Sequence, residues 1–104
     1  MIYVFANVRV KSGCLDQALD CYRELVPAIR QHEPGCLQYE PTIDVDMGLP
    51  NQEKGAGAIV VVERWESLED FRAHLGMPHS ASFRMRMEPL LAEKITVKVL
   101  RGAL

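Results

Sequence analysis

Hydrophobic and polar positions along this chain follow two different rhythms. From Ile2 to Val10 the period is two: Ile2, Val4, Ala6, Val8 and Val10 share one face, while Tyr3 and Phe5, then Asn7 and Arg9, occupy the other. Alternation rich in β-branched and aromatic residues predicts a strand, which Lys11-Ser12-Gly13 ends. From Leu15 the spacing becomes three-and-four. Leu15, Ala18, Leu19, Tyr22, Leu25, Val26 and Ile29 form one face of an amphipathic helix reaching about His32, with Pro27 placed to kink it. Pro34-Gly35 is a turn.

Period two returns from Cys36 to Val45, with Leu37, Tyr39, Ile43 and Val45 on the expected apolar face. Residues 46–57 hold Gly, Pro and Asn with little apolar content and read as a loop. Ala58 to Trp65 begins as a continuous apolar run, the mark of a central strand covered on both faces. Ser67 is a favourable N-cap for the next helix, whose inner stripe is expected at Leu68, Phe71 and Leu75. Gly76 and Pro78 stop it, and a second short helix from His79 to about Met87 turns Phe83 and Met87 inward. Lys94 to Leu100 alternates again and supplies the last strand, with Ile95, Val97 and Val99 on one face.

The order βαββαβ predicts a ferredoxin-like α+β fold, an antiparallel sheet with its helices on one face, in one domain over 1–104. The third strand and the start of the first are apolar on both faces, yet the helices cover only one. An open apolar sheet face of that size calls for a second copy, so a homodimer is expected.

Composition narrows the function classes. The chain has 104 residues, 48% hydrophobic and 25% charged, and a formal net charge of −2 with no basic run. That balance gives no footing for nucleic acid or a membrane surface. No apolar stretch approaches a membrane span and the first strand starts at Ile2, so a cytoplasmic location is expected. Cys14, Cys21 and Cys36 cannot all pair with one another and form no Cys-x-x-Cys, which suits a reducing compartment.

Candidate chemistry concentrates in one stretch. Glu63 and Trp65, two apart on a strand, point the same way, and His74 and His79 follow closely. A carboxylate in an apolar row is costly unless it is paired or used. His74 lies near the inner stripe of its helix and is placed to face a cavity. Tyr39 offers a hydroxyl, and Asn7 is a polar residue on a strand face that is otherwise aromatic. His74 and His79 are five apart across Gly76 and Pro78, not the helical i, i+4 pair of zinc enzymes, and no metal site is expected from this spacing. Gly-x-Gly-x-x-Gly, P-loop and Gly-x-Ser-x-Gly patterns are also missing, so nucleotide, flavin and serine-nucleophile chemistry have no support in the sequence.

The run Glu63-x-Trp65, then His74, then Pro78-His79, resembles the antibiotic biosynthesis monooxygenase superfamily, and within it the cofactor-free quinol monooxygenases. Val4-Phe5-Ala6 with Lys11-Ser12-Gly13, and Glu33-Pro34-Gly35-Cys36 to Tyr39, resemble further segments of the same superfamily. The resemblance implies a dimeric α+β barrel and a cofactor-independent monooxygenase or oxidase. Its partners would be a small hydroquinone or phenol and molecular oxygen. It implies His74 as the base and Glu63 as its orienting partner or a proton relay. Trp65 would be a stacking wall, and Tyr39, Asn7 and His79 hydrogen-bonding groups for substrate. Haem-degrading relatives use an Asn-Trp-His set; here His74 stands where they place the tryptophan, so haem is not expected. A non-redox isomerase and a non-catalytic ligand-binding or stress module are the alternatives on the same scaffold.

Overall fold

The computed structural model describes residues 1–104. Its elements are β1 (Ile2–Arg9), α1 (Leu15–His32), β2 (Cys36–Thr42), β3 (Ala58–Trp65), α2 (Leu68–Leu75), α3 (Pro78–Met87), a 3-10 turn (Glu88–Leu90) and β4 (Thr96–Leu100). The sheet runs β2-β3-β1-β4 and every neighbouring pair is antiparallel. α1 therefore carries the chain from β1 past β3 to β2, and α2 with α3 carries it from β3 past β1 to β4. This is the ferredoxin-like arrangement that the element order predicts.

Strand alternation decides what the helices cover. Val4, Ala6 and Val8 of β1 and Ile59, Val61, Glu63 and Trp65 of β3 are buried. Ala18, Cys21, Tyr22, Leu25 and Ile29 of α1 and Phe83 and Met87 of α3 close over most of them. A smaller cluster of Val4, Trp65 and Phe71 sits beside this core, and Tyr39 packs against both. The other sheet face stays open, with Tyr3, Phe5 and Leu100 exposed and Val60 and Val62 half-buried. β3 is central, as its composition indicates, but within this chain only one of its faces is covered.

Two expectations about faces are corrected. In α2 the buried residues are Phe71 and His74, while Leu68 and Leu75 are half-exposed. Phe71 and His74 lie about 60° apart around a helix, so packing between them leaves both leucines on the flank. In β2 the register slips between Cys36 and Gln38, so Leu37 is an extra bulged residue. Tyr39 then pairs with Glu63 on the covered face, and Leu37 is exposed rather than sharing that face.

β2 also ends at Thr42 rather than Val45, because β3 starts only at Ala58 and leaves little ladder to pair. Beyond it, Asp44 accepts from the Gly55 N–H at 2.8 Å and Asp46 from that of Gly48 at 2.8 Å, tying the segment into a side-chain-held loop. Ile43 and Val45 are exposed there.

Candidate active site

β3 delivers Glu63 and Trp65 to the helix-covered side, while Arg64 between them turns away and donates to Gln38 Oε1 at 2.9 Å. Glu63 is only 3% exposed and Trp65 wholly buried. The indole N–H of Trp65 donates to Glu63 Oε1 at 3.0 Å. Burial pushes the Glu63 carboxyl up to about 7 against the pull of that hydrogen bond, and the nearby Glu33 charge adds to the rise.

α2 brings His74 to the same place. Ser67 caps the helix by accepting the Asp70 N–H at 3.1 Å, which fixes the helix start and so the face that His74 presents. The imidazole packs among Trp65, Tyr39 and Phe71, at ring-centroid distances of 4.9, 5.6 and 6.3 Å.

The third contributor is the C-terminal end of α1. Glu33 caps that helix with its backbone N–H on the Ile29 carbonyl. The chain then turns at Pro34-Gly35 against the first turn of α2, and a Cβ at Gly35 would collide with the Asp70 carboxyl. Glu33 is thereby held 6% exposed beside both histidines. Its Oε1 and Oε2 lie 3.0 and 3.1 Å from His74 Nδ1, and Oε2 lies 2.5 Å from His79 Nε2. Ser80 Oγ stands 3.4 Å from the same His74 nitrogen.

A carboxylate only accepts hydrogen bonds, so His74 carries its proton on Nδ1 and His79 on Nε2. His74 Nε2 is left as a lone-pair acceptor. Burial holds the His74 pKa below the ordinary imidazole value against the pull of Glu33, with His79 and Arg84 lowering it further. The ring is neutral at pH 7.

These groups meet at a cavity of about 240 Å³. Its polar lining comes from Tyr22, Tyr39, Glu63, His74, Ser80 and Arg84, and Leu25, Phe71 and Phe83 give it apolar walls. The volume falls below the ~300–1,000 Å³ usual for drug-sized ligands, so the cavity suits a small molecule. No buried side-chain polar atom is left without a partner. The tyrosine hydroxyls and His74 Nε2 are engaged by no protein group, and all three residues line the cavity. Burial first and the Glu63 charge second raise the Tyr39 hydroxyl pKa, and that of Tyr22 likewise. Both remain protonated donors. The Cys36 thiol is pushed up to about 11 by burial and donates to the Gln38 carbonyl at 3.4 Å, so it is no nucleophile.

Of the six residues singled out from sequence, Glu63, His74 and Tyr39 line the cavity, and His79 joins them through Glu33. Three placements need correction. The hydrogen-bond partner of His74 is Glu33, not Glu63. Trp65 is no cavity wall, because it lies buried behind His74 and Glu63; the aromatic walls are Phe71 and Phe83. Asn7 sits in register with Val60 and Thr96 on the open sheet face, away from the cavity, because the odd-numbered residues of β1 all point there.

Sequence reasoning missed Glu33, Tyr22, Ser80 and Arg84. Tyr22 read as an ordinary member of the apolar stripe of α1. Glu33 had one signal, a carboxylate at the last position before a helix-ending Pro-Gly, but nothing local tied it to His74.

Comparison with known proteins agrees with the fold. The family profile described as antibiotic biosynthesis monooxygenase matches residues 1–86. The chain is 33% identical over 85 residues to YgiN of Escherichia coli K12, named a probable quinol monooxygenase, covering 80% of this chain and 81% of YgiN. Among solved structures, PA3566 of Pseudomonas aeruginosa superposes with a TM-score of 0.80 at 21% identity, over 99% of this chain and 94% of its own. Rv0793 of Mycobacterium tuberculosis does so at 0.68 and 25% identity, over 97% and 93%. No helix here is long and apolar enough to cross a membrane.

Proposed function

This chain belongs to the antibiotic biosynthesis monooxygenase family, and on that premise we propose that it oxidises a small hydroquinone or phenol with molecular oxygen, using no metal or organic cofactor. The observation that carries the reading is His74. Its Nδ1–H is held by Glu33, its Nε2 has no partner in the chain, and the residue lines a largely apolar cavity. The quinol monooxygenase name of the E. coli relative supports the substrate class.

The chemistry runs through a substrate hydroxyl. His74 Nε2 takes its proton, leaving an electron-rich phenolate, and Glu33 stabilises the imidazolium so formed. Tyr39 and Tyr22 donate hydrogen bonds to substrate oxygens. Glu63, with a pKa near neutrality, exchanges the second proton. The phenolate then passes electrons to oxygen. Simple oxidation delivers two electrons and two protons, giving quinone and hydrogen peroxide. Insertion places one oxygen atom on the ring and releases the other as water. Apolar walls keep bulk water from the anion.

The working unit in this reading is a homodimer, a second copy covering the open sheet face around Tyr3, Phe5 and Val62 and forming the α+β barrel. Metal-stripped protein given a reduced naphthoquinone tests the proposal. Quinone formation with matching oxygen uptake, above the uncatalysed rate, is expected. Ligand-induced thermal stabilisation without oxygen uptake would replace it with the isomerase or binding-module reading.

A further inference from the structure

Glu33, His74 and His79 have a second chemical capability. We propose that these three side chains form a binding site for a borderline divalent transition metal ion, of which Zn²⁺ is the type, and that occupancy switches off the base.

Three observations support the site. The donor set is two imidazole nitrogens and one carboxylate oxygen, a combination suited to such ions. The donor atoms already converge, all lying within 4.8 Å of one another. Glu33 Oε1 is 3.0 Å from His74 Nδ1 and Oε2 is 2.5 Å from His79 Nε2. Tetrahedral N and O ligands held at 2.0–2.1 Å sit roughly 3.3 Å apart, so admitting an ion requires only shifts on the order of 1 Å.

Charge points the same way. Glu33 is almost wholly buried, and its only partners are the two imidazoles; no lysine or arginine pairs with it. A buried carboxylate without a fixed cation is an unfavourable arrangement that a bound cation relieves. The ligands come from the end of α1, from α2 and from the start of α3, so the ion would clamp three elements together. The His79 side chain is 17% exposed and provides the way in.

The proton accounting is simple. A neutral imidazole that gives its protonated nitrogen to the metal moves that proton to its other ring nitrogen. For His74 this converts Nε2 from a lone-pair acceptor into an N–H donor. That nitrogen can then no longer take a proton.

The test is calorimetric titration of tag-free, metal-stripped protein with ZnCl₂, beside the Glu33→Gln, His79→Ala and His32→Ala variants. His32 stacks on His79 at 6.0 Å but lies outside the cluster, and serves as the control. The expected result is one ion per chain, with affinity reduced at least about a hundredfold in Glu33→Gln and in His79→Ala and unchanged in His32→Ala, a larger loss than outer-shell changes usually cause. Failure to saturate at one ion per chain would overturn the site. So would binding that survives both ligand substitutions, or that disappears equally in His32→Ala. A second arm rests on the proposed base role: Zn²⁺ should suppress oxygen uptake and a chelator should restore it. Because calorimetry needs no turnover, the metal site stands or falls separately from the oxidase reading.

Discussion

Glu33 and His74 are 41 residues apart in the chain, yet the carboxylate holds the imidazole Nδ1 at 3.0 Å in a site where both side chains are nearly buried. That contact selects the tautomer and leaves Nε2 as the free acceptor. Glu33→Gln keeps the shape but replaces an obligate acceptor with a group that can donate, allowing the wrong tautomer. The expected loss is at least about 10²-fold in kcat with KM little changed. A positioning role also predicts a displaced pH profile, which a purely structural role would not give. Steady-state kinetics across pH measures both, with circular dichroism to establish that the fold is retained.

Glu63 makes stability depend on pH with a definite sign. Its carboxyl titrates near 7 in the fold against an ordinary 4.5, so the folded chain holds a proton that the unfolded chain releases. The associated stability is fully present below about 4.5 and is lost as pH rises toward 7, on the order of 3 kcal/mol in all. Glu63→Gln carries no charge and keeps an acceptor for Trp65. Urea midpoints for wild type and variant should therefore be close near pH 4.5 and diverge toward pH 8, the variant being more stable. Parallel curves would show that Glu63 does not titrate this way.

Gly35 is where the α1–β2 turn meets α2. An added Cβ there runs into the Asp70 carboxyl, which Ser67 Oγ holds from 2.8 Å. Gly35→Ala should destabilise by about 1–3 kcal/mol. Asp70→Gly in the same chain should recover part of that loss, a non-additivity that a double-mutant cycle in urea detects.

On the open sheet face Phe5 pairs across the ladder with Val62. If that face is the dimer interface, Phe5→Glu buries a carboxylate on each side of the symmetry axis. Sedimentation should then show a dimer for wild type and a monomer for the variant. A monomeric wild type, or a variant that remains dimeric, would remove the proposed interface.

Much of this architecture was legible because it is written in periodicity. The three-and-four spacing of Leu15 to Ile29 gives α1 its observed span, and the apolar run ending in Glu63-Arg64-Trp65 gives β3. The site was legible where strand alternation governs it, as for Glu63, and for His74 through its place beside the inner stripe. It failed where a partner comes from elsewhere. Hydrophobicity put Leu68 and Leu75 inside α2, but His74 takes the inner position because Glu33 satisfies its nitrogen. No spacing rule links a helix C-cap to an imidazole two elements away. The bulge at Leu37 is a register effect invisible to alternation, and the face of Asn7 depends on which side the helices choose. His74 and His79 show neither metal spacing nor a shared helix; the fold places them together by folding the chain back between α2 and α3.

The most direct test of the central claim is oxygen uptake by metal-stripped wild type and His74→Ala with a reduced naphthoquinone, the uncatalysed rate subtracted. The structure predicts uptake in wild type and a fall of roughly 10²–10⁴ in the variant, the usual share of a general base, with its circular dichroism unchanged. A folded His74→Ala protein that works within a few-fold of wild type would contradict it.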